Sequence, residues 1–305
     1  MKKILVIGAS GFVGGHLTNA LLTNGYAVRC LTRDPARMQL PVTDAGEIVP
    51  GDVSDPASLE RALQGMDAVY ISMHTISRQQ SAAGRGFVDL EKQGIQHILD
   101  ACRGTAVRRI IYITSLGTAP DAPGAWVRGR WELEQRLLSS GLDVTVLRPG
   151  QIVGAGGMGF KTTLSQAKSR VAITVGSGEQ TIRSIAIDDL VYYLVGVLND
   201  PRSYGRAFDV GNDDVWTTNQ MIDGIATLLG KQPPVKLHLP TAPLRLIAPG
   251  LERIAHLSAG SIRGFIDSLK TDMVGDPLPI RTLLPRPPLS YREAVQKALR
   301  TPPGQ

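Results

Sequence analysis

The chain is poor in cysteine. Cys30 and Cys102 are the only two, and a pair at this spacing makes neither a disulfide framework nor a metal-ligand set. Long apolar runs are missing too: no stretch approaches the about 18–20 residues that a membrane span needs. At the start, Met1-Lys2-Lys3 leads into Ile4-Leu5-Val6-Ile7 and then breaks at Gly8, too soon for an export-signal core. These absences make the cytoplasm the expected compartment. No five basic residues stand in a row, and 33 basic against 27 acidic residues leave a formal net charge of only +6, so no nucleic-acid partner is expected. Glycine and proline are scattered without a Gly-X-Y period, which excludes a collagen-like fibre. What remains is 305 residues of globular composition, 43% apolar and 20% charged, enough for one large domain or a domain with a smaller companion.

The first half alternates two periods. Short apolar runs occur at residues 3–7, 27–32, 47–49, 67–73, 108–114 and 143–148. Between them lie stripes at helical spacing: Leu17, Leu21 and Leu22; Leu59, Leu63 and Met66; Ile95, Ile98, Leu99 and Cys102. Strand and helix in alternation predict an α/β protein with a parallel sheet covered on both faces, and right-handed crossovers make that sheet doubly wound. After Gly150 the pattern loosens. A Gly-, Ser- and Thr-rich stretch holds one helix near 159–169. A helix with an Asp N-cap is expected from Asp188-Asp189 to Leu198, a strand at 206–210 and a helix at 217–229. The expected division is a Rossmann-type dinucleotide-binding domain over 1–150, rejoined by about 181–200, and a smaller C-terminal α/β lobe over 151–305 for a substrate or partner.

The strongest signal is Gly8-Ala9-Ser10-Gly11-Phe12-Val13-Gly14, placed between a buried-type strand and a helical stripe. Gly8 lets the chain turn sharply. Gly11 removes a side chain so that the N–H groups around Ser10, Phe12 and Val13 can approach a pyrophosphate. Gly14 lets helix pack closely on strand, and the helix N-terminus adds free N–H donors and a positive dipole end. The other reading of the same residues is a tight turn with no ligand.

Position and spacing of this turn resemble the short-chain dehydrogenase/reductase superfamily. The length and late lobe are similar to its extended and atypical branch, the NmrA-like and nucleotide-sugar-epimerase-like proteins. Gly51-Asp52-Val53-Ser54-Asp55 resembles the loop after the family's third strand, which implies that the Asp52 carboxylate and the Val53 backbone contact adenine. Ile110 to Ser115 resembles its fifth strand and Leu147-Arg148-Pro149-Gly150 the strand that ends beside the nicotinamide. Ile185-Ala186-Ile187-Asp188-Asp189-Leu190 resembles its late motif. Ser72 and Met73, where the fourth apolar run ends, are further candidate cofactor contacts.

Cofactor choice turns on the end of the second strand, Leu31-Thr32-Arg33-Asp34. An acid there would bind the ribose hydroxyls of NAD. Thr32 stands in that place by resemblance, and Arg33 and Arg37 offer guanidinium groups to a 2′-phosphate. NADP(H) is therefore favoured over NAD(H). Asp34, one residue on, keeps NAD open, and Arg33 can also be read as a solvated strand-end charge.

The resemblance breaks at the chemistry. Family reductases use a Tyr with a Lys four residues later. Here the helix reads Trp126-Val127-Arg128-Gly129-Arg130, so Trp126 takes the Tyr position and Arg130 the Lys position. Indole has no titratable acid. Arg130 reads either as a clamp on the nicotinamide ribose or as a helix-surface ion pair with Glu134. Ser115 is the nearest hydroxyl to the family's Ser, with a one-residue ambiguity against Leu116. His74, after the fourth strand, is either a proton donor or a loop histidine with no role. The expected function is an NAD(P)H-binding oxidoreductase-like protein, transferring hydride to a small carbonyl or enone. The alternative is an NADP(H)-binding sensor, regulator or assembly factor without turnover. A homo-oligomer or a protein partner is possible, and no metal is expected. In the Pro-rich last sixty residues, Leu251, Ile254, Ala255 and Ser258 share one face and Ile262, Phe265, Ile266 and Leu269 another. Packing against the sheet lobe is their expected role; the alternatives are a cover over an apolar substrate or a contact with another protein or a membrane surface, and the Pro-rich flanks and the missing basic face argue against membrane insertion.

Overall fold

Each early apolar run becomes a strand and each stripe a helix. The computed structural model describes residues 2–38, 44–73, 87–254 and 260–301. Its elements begin with β1 (Lys3–Ile7), α1 (Phe12–Thr23), β2 (Ala27–Thr32), β3 (Gly46–Pro50), α2 (Pro56–Leu63), β4 (Ala68–Ile71), α3 (Phe87–Arg103), β5 (Arg109–Ile113), α4 (Ala125–Leu138) and β6 (Asp143–Pro149). They continue with β7 (Gln151–Val153), α5 (Met158–Lys168), β8 (Val171–Val175), β9 (Thr181–Ala186), α6 (Ile187–Val197), β10 (Arg206–Val210), β11 (Val215–Thr217) and α7 (Thr218–Leu228). The last are β12 (Val235–Leu239), α8 (Thr241–Ile254), α9 (Ser261–Ser268), α10 (Leu278–Leu283) and α11 (Tyr291–Arg300).

Seven strands form the central sheet in the order β10-β6-β5-β4-β1-β2-β3, and the neighbours from β3 through β6 run parallel. The strand order reverses between β1 and β4, whose registers match Ile7 with Ile71. The fold is the expected doubly wound α/β class. The strand at 206–210, expected in the smaller lobe, joins this sheet as β10 beside β6.

The chain forms two compact units. The first comprises Met1–Thr114, Gly129–Leu147 and Val191–Phe208. Leu5, Val69, Ile95, Ile98, Ile110 and Val144 are wholly buried in its core. Asp55 caps α2 by accepting the Ala57 N–H at 3.1 Å, with Pro56 at the first helical position, the arrangement an N-terminus favours. At the other end of the sheet, Arg109 of β5 is buried. It donates to the carbonyls of Val197 at 2.6 Å and Leu198 at 3.1 Å, at the C-terminus of α6, and to Asp143 O at 2.7 Å. A cation suits the negative end of a helix. Burial lowers its pKa to about 10, against the opposing influence of the tyrosines and carboxylates around it.

The second unit comprises Ser115–Arg128, Arg148–Leu190 and Asp209–Gln305. It holds a three-stranded sheet, β11-β9-β7, and a two-stranded parallel one, β12-β8. Phe160, Met221, Ile225, Tyr291 and Val295 fill its core. Capping boxes start α7, from Thr217 to Gln220, and α11, from Ser290 to Glu293. Strands of three residues, such as β7 and β11, are too short to carry a period, so the sequence does not announce them.

Both cysteines are free and buried. Burial raises the thiol pKa of each to about 11, with a hydrogen bond from Thr18 partly opposing this at Cys30. Neither thiol is expected to react with a disulfide reagent at neutral pH until the protein unfolds; rapid labelling of the native protein would contradict this. Unfolded thiols ionise near pH 9 while the folded ones keep their protons to about 11, so these two groups make stability fall as pH rises through that window.

Candidate dinucleotide site

The first unit places the glycine turn at the C-terminal ends of β1 and β4, the reversal point where open α/β sheets bind ligands. Gly8 has φ +85°, and a Cβ there would lie 2.4 Å from the Ser72 carbonyl oxygen. The chain leaving β4 thus crosses directly over the turn, with the Ser72 N–H donating to Ile7 O at 2.9 Å. A Cβ on Gly14 would lie 2.1 Å from Gly8 O, so helix and turn touch backbone to backbone. Gly11 differs: its φ is an ordinary −81°, and a Cβ there would meet only Gly8 O, at 3.2 Å. It is the N-cap of α1, and no side chain caps that helix. The N–H groups of Phe12, Val13 and Gly14 form the first turn, whose donors have no intrahelical acceptor. An exposed Gly11, a bare N-cap and a positive helix end make a cradle of pyrophosphate chemistry.

Two loops flank the cradle. Asp52 follows β3, and its Oδ1 accepts both the N–H and the hydroxyl of Ser54, at 2.8 and 2.7 Å. Ser58 closes the loop by bonding Asp52 O at 3.0 Å and accepting the Asp52 N–H at 3.2 Å. The Val53 carbonyl meets His97 Nδ1 at 2.9 Å. His97 thus steadies the loop from α3, a role no motif in the sequence signals. Arg33 follows β2, half-exposed, with Nε 3.8 Å from Asp52 Oδ2. The Asp34 carboxylate accepts the Ala36 N–H at 3.2 Å and so caps the short turn Pro35–Arg37. Thr32 is buried, its hydroxyl 3.4 Å from that of Ser10. Gly8, Ser10, Gly11, Phe12, Val13, Gly14, Arg33, Asp52, Val53, Ser72 and Met73 all belong to this unit, and Arg37 ends the Pro35–Arg37 turn.

The candidate catalytic residues do not share one setting. Arg130 is 1% exposed. Its guanidinium is 3.0 Å from Glu91 Oε1 on α3, and Glu91 is buried as well. Burial opposes its charge, yet Glu91, with help from Tyr112 and Glu134, holds its pKa above the ordinary value. Neither Arg130 nor Glu134 stands at the helix surface. Glu134 is itself wholly buried and accepts the Thr114 hydroxyl at 2.6 Å. The reason is that α4 packs closely on α3 at Gly129, where a Cβ would lie 2.5 Å from a Val88 methyl, which turns this face of α4 inward. Ser115 and Trp126 are half-buried and belong to the second unit, where Leu116 is buried. His74 lies outside the described residues. Among the described residues no cluster of three His, Cys, Asp or Glu side chains could hold a metal ion, and no helix is long and apolar enough to cross a membrane.

A dinucleotide fits these residues, and comparison with known proteins agrees. The chain is 27% identical to (4-alkanoyl-5-oxo-2,5-dihydrofuran-3-yl)methyl phosphate reductase of Streptomyces griseus subsp. griseus over 232 residues, 75% of this chain and 74% of that one. It is 32% identical to photosystem II assembly factor Ycf39 of Cyanophora paradoxa over 146 residues, 48% of this chain and 44% of that one. Its fold is similar to that of the NADPH-dependent quinone oxidoreductase QOR2 of Escherichia coli, solved with NADPH, at a TM-score of 0.74 and 20% identity over 97% of this chain and all of that one. Residues 8–201 match the model of the family described as NAD(P)H-binding. That match begins on the first glycine of the turn and runs past α6, and the chain belongs to the NAD(P)H-binding family.

Proposed function

We propose that this protein is a cytoplasmic reductase that binds NADPH in preference to NADH and delivers its hydride to a small conjugated carbonyl compound such as a quinone or enone. The observation that carries the cofactor choice is the end of β2. Thr32 occupies the place of a ribose-binding acid, Asp34 caps its own turn, and Arg33 stands beside the Asp52 loop. A 2′-phosphate there meets a guanidinium and no carboxylate at position 32. Arg33→Ala should cost about 1–3 kcal/mol of NADPH affinity, roughly 5- to 150-fold, and leave NADH unchanged. Equal wild-type affinities for the two cofactors, measured by calorimetry, would sink this assignment.

When bound, the dinucleotide supplies the hydride. The chain's own residues hold and orient it: the α1 N–H groups on the pyrophosphate, Asp52 and Val53 at adenine, Ser72 and Met73 along the β4 edge. No titratable acid stands at Trp126, and Arg130 is committed to Glu91. A conjugated acceptor suits such a site because it spreads the incoming charge over its own π-system and can take its proton from water, with Ser115 as a hydrogen-bond donor to the substrate oxygen and His74 as a second proton source. The resemblance to a reductase of an unsaturated lactone points to the same substrate class.

The buried Arg130–Glu91 pair also favours a second reading, a dinucleotide-binding assembly or regulatory protein without turnover, and the likeness to an assembly factor agrees with it. Incubating the protein with NADPH and a panel of quinones, enones, ketones and aldehydes decides between the two. Oxidation of NADPH by the conjugated members and little with simple ketones is the expected result. Tight NADPH binding with no oxidation by any member would replace the reductase reading with the second.

A further inference from the structure

The helix α8 is built inside out. Pro243, Leu246, Ile247, Gly250, Leu251 and Ile254 recur at the i, i+3, i+4 spacing of one helical stripe, and every one of them faces solvent: Leu246 is 81% exposed and Ile254 78%. The opposite side carries Glu252, which is 5% exposed and caps the start of α9 by accepting the N–H groups of Gly260 at 2.9 Å and Ile262 at 2.7 Å. The stripe expected to pack on the sheet lobe therefore points away from protein at Leu251 and Ile254; Ala255 and Ser258 lie outside the described residues. On α9, Phe265 is exposed as well.

The charges of the two helices are sorted in the same sense. Glu252 is turned inward and Asp267 is ion-paired with Arg245, while Arg253 and Arg263 are exposed. The face thus offers apolar side chains with positive charge and no exposed carboxylate on either helix. The prolines do not disqualify it. Pro243 lies in the first turn, where no N–H is needed. Pro249 leaves the carbonyl of Arg245 without its helical donor, and Arg263 Nε lies 3.3 Å from that oxygen as a replacement. Fourteen residues of helix measure about 21 Å, short of the about 30 Å hydrocarbon core.

We infer that α8 and α9 seat the protein on the surface of an anionic lipid bilayer. The α8 stripe lies in the interface at the level of the acyl boundary, and Arg253 and Arg263 meet acidic headgroups. A contiguous exposed apolar stripe marks an interaction surface, and its one-signed charge matches an anionic bilayer better than a second copy of itself, which would bring like charges together.

The test is flotation of the full chain with vesicles of phosphatidylcholine alone and of phosphatidylcholine mixed with phosphatidylglycerol. The protein should float with the mixed vesicles and stay behind with the neutral ones, and high salt should weaken its binding. Leu246→Glu with Ile254→Glu should abolish flotation while NADPH affinity and the unfolding midpoint stay at wild type, since both side chains lie on the outside. Arg253→Gln should weaken partitioning about five-fold. Failure to float, equal flotation with both vesicles, or indifference to the paired Glu substitutions would overturn the inference. A wild-type dimer that the same substitutions turn into a monomer, with no flotation, would assign the face to a second copy instead. None of these outcomes depends on whether the protein turns over substrate.

Discussion

Gly14→Ala and Gly11→Val are expected to fail in opposite ways. At position 14 the new Cβ would fall 2.1 Å from Gly8 O and 2.9 Å from Ala9 Cα. Both are backbone atoms of the turn that ends a core strand, and backbone cannot swing aside as the end of a side chain can. α1 must then shift off β1, at a cost of about 3 kcal/mol. Position 11 has an ordinary φ and only Gly8 O, 3.2 Å away, near its Cβ. The fold loses about 1 kcal/mol there, the penalty of a β-branched residue at an N-cap. The isopropyl group instead stands where a pyrophosphate must approach the N–H groups of Phe12 and Val13. Losing two charge-assisted hydrogen bonds weakens NADPH binding by about 3–4 kcal/mol, on the order of 100- to 1000-fold. Urea unfolding separates the pair on stability and calorimetric titration on binding. A Gly11→Val protein that titrates like wild type would reduce the turn to a structural feature.

Glu91→Ala should be the most damaging substitution of a polar side chain in the first unit. It takes the Glu91 carboxylate away from a guanidinium that is 1% exposed, with the hydrogen bond at 3.0 Å gone. Removing one partner of a buried ion pair typically costs about 3–5 kcal/mol, whereas replacing both with apolar residues of similar volume is often neutral. Glu91→Leu combined with Arg130→Met should therefore recover most of the stability lost in Glu91→Ala, with the urea m value unchanged. The double variant also carries a functional readout. If Arg130 acts only through packing, NADPH affinity in it stays at the wild-type level; a large loss would return Arg130 to the cofactor site as a ribose clamp. Destabilisation below about 1 kcal/mol in Glu91→Ala would show that Arg130 finds another carboxylate, for which Glu134 is the nearest candidate by sequence.

Much of this molecule is readable before it folds, and particular residues show why. Ile4 to Ile7 and Ile110 to Ile113 are unbroken apolar runs between helical stripes, and a chain that alternates in that way has few options besides a parallel sheet wrapped by helices. Gly8 and Gly14 are legible for a similar reason: a positive φ and a close backbone approach are local demands that only glycine meets, and Gly11 completes their spacing at a bare helix start. The absence of an acid at Thr32 is equally local. The sequence by itself therefore determined the fold class, the place of the dinucleotide turn and the balance of charge at the end of β2. Tertiary structure alone decided the rest, because it depends on which elements meet. Arg130 reads as a surface or cofactor cation until α3 brings Glu91 against it. Arg109 carries no signal in the sequence; its place is decided when the C-terminus of α6 presents the Val197 and Leu198 carbonyls to it. Leu251 and Ile254 read as part of a core stripe, since periodicity reports that a helix has an apolar face but not which way that face turns. Here the inner side of α8 carries the buried Ala248 and Glu252, whose two hydrogen bonds to the start of α9 exist only once the two helices meet.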